Sequence, residues 1–300
     1  MMRNITCMVL LAALSGATLC VHAQTACGAY DVPSVPDSLS SPEARADYLA
    51  LHYWDNFDFS DERLISAGDY AEQAFVDFVG LLPYVGNAAR AIDCLYGRAA
   101  AERDMLYYFM SLGEKYLYER DSPMCDEELY IFMLRSVAGN KSLDEADRVG
   151  PRRRLELVMK NRVGDVAADF GFVCRDGSRG RLSELRARYV VIYFNDPDCS
   201  ECHVVGAQLA ASEVINAFVD SGDVVLLSVC VEGATPQWKS SRYPGLWIDA
   251  ADKSRVVVGK QLYMLPALPA LYLLDAERRV VLKDTSVDQI EVFLSGEAGD

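Results

Sequence analysis

The chain has 300 residues, 51% of them hydrophobic, and a formal net charge of −15 at pH 7. This length suits two domains or one large domain, and the apolar content is sufficient for ordinary globular cores. The negative charge argues against nucleic acid as a partner, because phosphate binding requires a basic surface, and against docking on anionic lipid headgroups.

The first 23 residues have the pattern of an export signal: a positive start, an apolar stretch from Ile5 to Val21, and small residues in Val21-His22-Ala23 before a cleavage point. A membrane anchor is the alternative, but the apolar stretch is short and interrupted. Lipoprotein processing at Cys20 or Cys27 is a weaker alternative, because neither cysteine follows a good lipobox. We therefore expect a periplasmic or otherwise exported protein with no integral membrane segment after signal removal.

Residues 24–41 are rich in Pro, Ser and Asp and are predicted to form an extended lead-in. From residue 42 to residue 162 apolar residues recur at helical spacing without a strand pattern, which predicts an all-α domain of about six helices. The predicted helices are Glu43–Tyr53, Asp61–Val79, Asn87–Tyr96, Ala99–Tyr118, Asp126–Ala138 and Leu143–Asn161, the last interrupted by Gly150-Pro151.

Residues 163–300 alternate between strand and helix patterns, which predicts an α/β domain with helices on both faces of the sheet. A tight Ala276-Glu277-Arg278 connection makes the last two strands antiparallel, so the sheet is mixed. The predicted strands are Phe170–Cys174, Gly180–Leu182, Tyr189–Asn195, Val224–Val231, Ala270–Asp275 and Val280–Lys283, and the predicted helices are Glu201–Phe218, Asp252–Tyr263 and Val287–Leu294.

A paired-cysteine turn, Cys199-Ser200-Glu201-Cys202, stands where an apolar strand passes into a helix. The spacing places both sulfurs on one face of the first helical turn, close enough to form a disulfide. The positive end of the helix favours a thiolate there. A Cys199 thiolate can attack a partner's disulfide, after which Cys202 attacks Cys199 and releases the reduced partner. Seven cysteines remain after signal removal, and the sequence does not pair the other five.

Residues from about 164 to 294 resemble the thioredoxin fold of TlpA/ResA-type exported thiol-disulfide oxidoreductases. The resemblance lies in the paired cysteines and in Gly164–Phe170, Leu182–Arg186 and Tyr263–Asp275, which are similar to the opening motif, the turn before the buried strand and the cis-proline stretch of that family. It implies a cis peptide bond before Pro269 that presents the Leu268 backbone to a partner. It also implies protein disulfides or dithiols as substrates, an unknown electron donor and no cofactor. The helical half resembles an uncharacterised N-terminal domain of exported Bacteroides-type proteins.

The sequence departs from that family at several positions. Asp198 stands where a tryptophan is usual, and Tyr193 stands where many members carry a buried acid that helps to move the proton of the second thiol. A tyrosine is a poor base, because its ordinary pKa is near 10. Asp196, Asp198 and Glu201 surround the thiols with negative charge, which opposes a thiolate. We therefore expect a reducing-leaning redox protein.

Other interpretations of the same residues stay open. The cysteines could form a structural disulfide in a non-catalytic binding or scaffold module that uses a thioredoxin fold. Cys199 to His203 also spells an attachment motif for c-type haem, although the strand before it and the long helix after it favour a dithiol. Only His52 and His203 remain after signal removal. Zinc binding therefore lacks a second pair of ligands, and a hydrolase lacks a free histidine beside a nucleophile.

Overall fold

The computed structural model describes residues 30–297, apart from positions 67, 68, 121, 242, 245 and 253. The predicted signal segment, Cys20 and Cys27 lie outside the described residues. By its internal contacts the chain divides into two compact units, with the boundary between Leu155 and Glu156. The described part of the lead-in, residues 30–41, contains neither helix nor strand.

The N-terminal unit is all-α, as predicted. Polar side chains begin its helices: Ser41 accepts a hydrogen bond from the Ala44 amide at 3.1 Å, and Asn87 and Asp126 cap later helices in the same way. The helices are α1 Pro42–His52, α2 Arg63–Ser66, α3 Tyr70–Leu81, α4 Ala88–Ala99, α5 Arg103–Gly113, α6 Glu127–Gly139 and α7 Glu145–Val158, with a 3-10 turn Leu82–Tyr84 and a π-helical turn Glu114–Tyr118.

Aromatic rings form the centre of the N-terminal unit. Trp54, which follows α1, is 1% exposed, and its ring lies 5.5 Å from Phe78 of α3 and 5.2 Å from Phe109 of α5. These edge-to-face contacts add to the free energy gained by burying large apolar rings. The rings therefore join three helices around one core.

Two helix predictions in this half are wrong. The stretch Asp61–Val79 contains two helices, α2 and α3, rather than one. The predicted interruption of the last helix at Gly150-Pro151 is also wrong, because α7 continues through Pro151 as one helix. Proline removes one helical hydrogen bond, but the helix is held before the proline by contacts from α5, where Arg103 and Tyr107 each bind the Asp147 carboxylate at 2.7 Å.

The C-terminal unit is a seven-stranded mixed sheet in the order β2-β1-β5-β4-β3-β6-β7, in which β3, β4 and β5 are parallel. Strand β3 is buried along its whole length, as its nearly continuous run of apolar residues leads one to expect. The strands are β1 Gly171–Cys174, β2 Arg179–Arg181, β3 Tyr189–Asn195, β4 Val224–Cys230, β5 Ile248–Ala251, β6 Ala270–Leu274 and β7 Val280–Lys283. The helices are α8 Ser200–Ala211, α9 Glu213–Ser221, α10 Pro236–Ser240, α11 Val256–Gly259 and α12 Val287–Glu297.

Helices and apolar clusters cover both faces of this sheet. One face contains Tyr193 of β3 and packs against Leu209 of α8 and Ile290 of α12. The opposite face contains Phe194 of β3, together with Tyr263 from the segment before β6. Successive residues of β3 therefore point to opposite faces, as strand geometry requires.

The predicted helix Glu201–Phe218 is two helices, α8 and α9. Ser212 separates them, because its side chain accepts a hydrogen bond from the Ile215 amide at 3.1 Å and so begins a new helix. Among the described residues, no single helix is long and apolar enough to cross a membrane. The pair α8 and α9 reaches that length and apolar composition only when both helices are taken together, and the pair is bent by 65°.

The sequence pattern does not predict strand β5. It has only four residues, and one of them, Asp249, carries a carboxylate that binds the Trp238 indole at 2.9 Å and the Arg175 guanidinium. Such a short, partly polar segment gives no clear alternation of apolar residues. Nevertheless β5 joins the β1–β2 hairpin to the parallel strands.

A pair of glycine substitutions tests the packing of the helical unit. At Gly113 a Cβ atom would lie 2.1 Å from the Met133 sulfur and 2.9 Å from the Tyr96 hydroxyl, and both side chains are buried. We expect Gly113→Ala to lower the free energy of unfolding by about 1–3 kcal/mol through overpacking. Gly97→Ala, in open space on α4, should raise it by up to about 1 kcal/mol. Urea unfolding followed by circular dichroism measures both, and a Gly113→Ala protein as stable as Gly97→Ala would contradict the packing.

Candidate active site

The short connection from β3 to α8 carries both cysteines. Cys199 is the N-cap residue of α8: its backbone is extended and its sulfur accepts a hydrogen bond from the Cys202 amide at 3.1 Å. Asp196 shapes the preceding turn, because its carbonyl accepts from the Cys199 amide at 3.1 Å and its carboxylate accepts from the Asp198 amide at 3.0 Å. A sulfur thus occupies the position that an oxygen usually takes at a helix start, against the positive end of the helix.

The loop before β6 faces the same sulfur. The Cys199 thiol lies 3.5 Å from the Leu268 carbonyl oxygen, although the two residues are 69 positions apart in the sequence. The Leu268–Pro269 peptide bond is cis. The structure therefore brings together Cys199, Cys202, Leu268 and Pro269, the four candidate site residues, at one corner of the sheet.

The two thiols differ in exposure. Cys199 is half-buried, whereas Cys202 is 2% exposed, and no disulfide bond joins them in the structure. Burial raises the pKa of the Cys202 thiol well above its ordinary value, because a thiolate there would lose its hydration, and the neighbouring Cys199 adds to the shift. Cys199 is therefore the thiol that a partner can reach.

Tyr193 of β3 lies beneath the first turn of α8. Its side chain is fully buried, and its hydroxyl donates a hydrogen bond to the Cys202 carbonyl. Burial raises the pKa of Tyr193 far above the usual tyrosine range. A neutral phenol of this kind does not take up a proton at neutral pH, which agrees with the expectation that Tyr193 is a poor base.

A buried polar network adjoins Tyr193. Asn195 is completely buried, and its side-chain amide donates to the Ser228 hydroxyl at 2.9 Å and to the Tyr193 carbonyl at 3.0 Å. Its side-chain oxygen accepts from the Tyr243 hydroxyl at 3.1 Å. The sequence did not point to Ser228 or Tyr243. The one available signal was an asparagine at the end of an apolar strand, since a buried amide must find partners.

The two histidines are engaged in separate places. The His203 Nε2 atom lies 2.8 Å from the Pro197 carbonyl, so that its N–H donates to this oxygen. His52, in the helical unit, stacks on Tyr48 at 4.3 Å and lies 2.7 Å from the Asp55 carboxylate. Among the described residues there is no group of three or more His, Cys, Asp or Glu arranged to hold a metal ion.

A mixed sheet, a dithiol at the start of the helix that follows a buried strand, and a cis-proline loop facing the first thiol define a thioredoxin-like domain. Here this domain follows a helical unit in the same chain.

Comparison with known proteins agrees with this class. The chain is similar to a thioredoxin-like protein from Bacteroides caccae, with 34% identity over 90% of this chain and 99% of that one and a TM-score of 0.80. The C-terminal domain of an uncharacterized protein from Bacteroides fragilis shares 34% identity, covering 45% of this chain and 98% of that domain, with a TM-score of 0.44. Residues 13–161 match a domain of unknown function, DUF5106. None of the curated proteins matches the chain. The chain belongs to the family of thioredoxin-like proteins that includes the Bacteroides caccae protein.

The unequal environments of the thiols predict their reactivity. Because the thiolate is the reactive form, we expect iodoacetamide at neutral pH to modify Cys199 at least about 100-fold faster than Cys202 in the reduced protein. Labelling of Cys202 should rise only at alkaline pH, since its folded pKa is raised. Peptide mass spectrometry measures each site, with exposed Cys125 as the positive control. Equal labelling of both thiols in the folded protein would contradict the assignment.

Proposed function

We propose that this protein is an exported thiol-disulfide oxidoreductase of the TlpA/ResA type, which exchanges a Cys199–Cys202 dithiol or disulfide with partner proteins. The observation that carries the proposal is the position of the Cys199 sulfur. It accepts a hydrogen bond from the Cys202 amide at the helix start and faces the Leu268 carbonyl at 3.5 Å. This arrangement gives the sulfur a donor that stabilises a thiolate and a neighbouring backbone that a partner chain can approach.

The exchange begins with the Cys199 thiolate. It attacks one sulfur of a partner disulfide, forms a mixed disulfide and releases the other partner sulfur. The Cys202 sulfur then attacks Cys199, so that the Cys199–Cys202 bond forms and the bond to the partner breaks. The proton of the Cys202 thiol goes to the departing partner sulfur or to water. The partner is reduced by two electrons and the protein's dithiol becomes a disulfide.

Substrate binding is assigned to Leu268 and Pro269. An extended partner segment that pairs with the Leu268 backbone would bring its disulfide beside the Cys199 sulfur, because this sulfur lies 3.5 Å from the Leu268 carbonyl. Main-chain pairing of this kind provides affinity without strict dependence on the partner's side chains. The physiological partners are therefore proteins with disulfides or dithiols, and an electron donor restores the reduced form. Export is assigned from the composition of the first 23 residues.

Direct assay separates this function from that of a non-catalytic scaffold. We expect the wild-type protein, supplied with a strong reductant, to reduce insulin disulfides, and Cys199→Ser to lose this activity to the uncatalysed background because the nucleophile is gone. Cys174→Ser, which changes a half-buried thiol on β1, is the matched control and should keep full activity. No activity in any of the three proteins would reject the oxidoreductase and leave the scaffold interpretation.

A trapping variant identifies the partners. In cells that express Cys202→Ser, mixed disulfides at Cys199 should accumulate because the second attack is missing. Diagonal electrophoresis and mass spectrometry name the trapped proteins. The double variant with Cys199→Ser is the control and should trap none of them.

The acidic groups around the dithiol predict a reducing-leaning protein. Asp198 and Glu201, one residue before and two residues after Cys199, are exposed, and their negative charge disfavours the thiolate of the reduced form. We expect Asp198→Asn combined with Glu201→Gln to shift the equilibrium with glutathione about two- to fivefold toward the dithiol, and added salt to reduce this difference. Glu213→Gln combined with Asp220→Asn, both in α9, is the charge-matched control, because it also removes two negative charges. A shift in the opposite direction would show that these charges do not set the balance.

A further inference from the structure

The first turn of α8 is held to the sheet by the Tyr193 side chain. Its hydroxyl donates to the Cys202 carbonyl, and both residues are buried. In an α-helix that carbonyl also accepts from the amide four residues later, which belongs to Gly206. The phenol therefore adds a second donor to a helical carbonyl, and it comes from a strand rather than from the helix itself.

Gly206 makes this approach sterically possible. A Cβ atom at position 206 would lie 3.2 Å from the Tyr193 hydroxyl oxygen and 3.7 Å from a ring carbon of Tyr243. The first of these distances is closer than an ordinary van der Waals contact. Only a residue without a side chain lets the phenol reach the Cys202 carbonyl without displacement.

The Tyr193 ring has little freedom to move. It packs edge-on against Tyr243 at 6.2 Å and against Trp247 at 6.4 Å, and these two rings stack on each other at 5.7 Å. Its backbone belongs to β3, which pairs with β4 on one side and β6 on the other. The hydroxyl is therefore presented to α8 from a rigid base.

Two hydrogen bonds outside the helical repeat fix Cys202 in the reduced protein. Its amide donates to the Cys199 sulfur at 3.1 Å, and its carbonyl accepts from Tyr193. When Cys199 joins a mixed disulfide, its sulfur no longer carries charge and becomes a weaker acceptor. The first turn of a helix is where free amide groups make fraying easiest. In that intermediate, the bond from Tyr193 is the one that remains.

We propose that Tyr193 is a positioning residue for the second half of the exchange, an inference that rests on the proposed function. It holds the Cys202 sulfur where it can attack Cys199 once the partner is attached. In this step the Cys199–Cys202 bond forms, the bond from Cys199 to the partner breaks, and the Cys202 proton leaves with the partner thiol or to water. The first attack by Cys199 depends much less on Tyr193, because in the reduced protein the bond from the Cys202 amide to the Cys199 sulfur also holds Cys202 in place.

One kinetic experiment separates the two steps. A symmetrical aromatic disulfide releases one coloured thiolate when Cys199 attacks and a second when Cys202 closes the internal disulfide, and Cys202→Ser identifies the first phase. We expect Tyr193→Phe to leave the first phase within about twofold and to slow the second about tenfold, the effect of one lost hydrogen bond. Tyr263→Phe is the matched control, because its buried hydroxyl donates to the Ala168 carbonyl at 2.8 Å on the opposite face of the sheet.

A second variant protects the test against a folding defect. Gly206→Ala keeps the phenol but displaces it from the Cys202 carbonyl, and it should slow the second phase selectively in the same way. Thermal unfolding of each variant shows whether the fold is intact. Equal slowing of both phases, or an unchanged second phase in both variants, would overturn the role of Tyr193. Absence of both phases in the wild-type protein would instead overturn the proposed function.

Discussion

The hydrogen bond from the Cys202 amide to the Cys199 sulfur is the interaction on which the arrangement of the candidate site depends. It exists only because the chain turns at Asp196 directly after a fully buried strand and leaves Cys199 with an extended backbone at the helix start. The same bond links the reactivity of one cysteine to the placement of the other, since the donor belongs to Cys202 and the acceptor to Cys199. This single contact therefore depends on the local backbone geometry and on the charge at the helix end, and it affects the reactivity of the Cys199 thiol.

Burial separates the tasks of the two sulfurs. Cys199 is half-buried beside the Leu268 loop, whereas Cys202, in the first turn of α8, is buried and its carbonyl accepts a hydrogen bond from the Tyr193 hydroxyl. Tyr193 and Asn195 are neutral groups, and their hydrogen bonds go to backbone carbonyls and to the Ser228 hydroxyl. Tyr193 and Asn195 therefore supply order rather than charge to this part of the molecule. A buried network that is fully hydrogen-bonded rigidifies the structure around it.

The parts of the site that could be predicted from the sequence are those written in short local patterns. The pair Cys199 and Cys202 follows an apolar strand, and the two-domain architecture appears as a change from helical to alternating periodicity. Tyr243 left no such pattern, because it meets Asn195 from 48 positions away and its role arises only when the strands assemble. Strand β5 was too short and too polar to be detected. At Pro151 the local preference pointed the wrong way: α7 continues through this proline, and Arg103 and Tyr107 of another helix bind Asp147 in the turn before it.

The edge strand β2 affects how readily another chain can pair with the sheet. Its outermost strand on one side, β2, has only three residues, and two of them are arginines. Short, charged borders of this kind resist the addition of foreign strands, which is how many β-proteins avoid edge-to-edge aggregation. The proposed function would bring this protein into contact with partly oxidised chains, for which such an edge is relevant. On this side the sheet offers such chains almost no template to grow on.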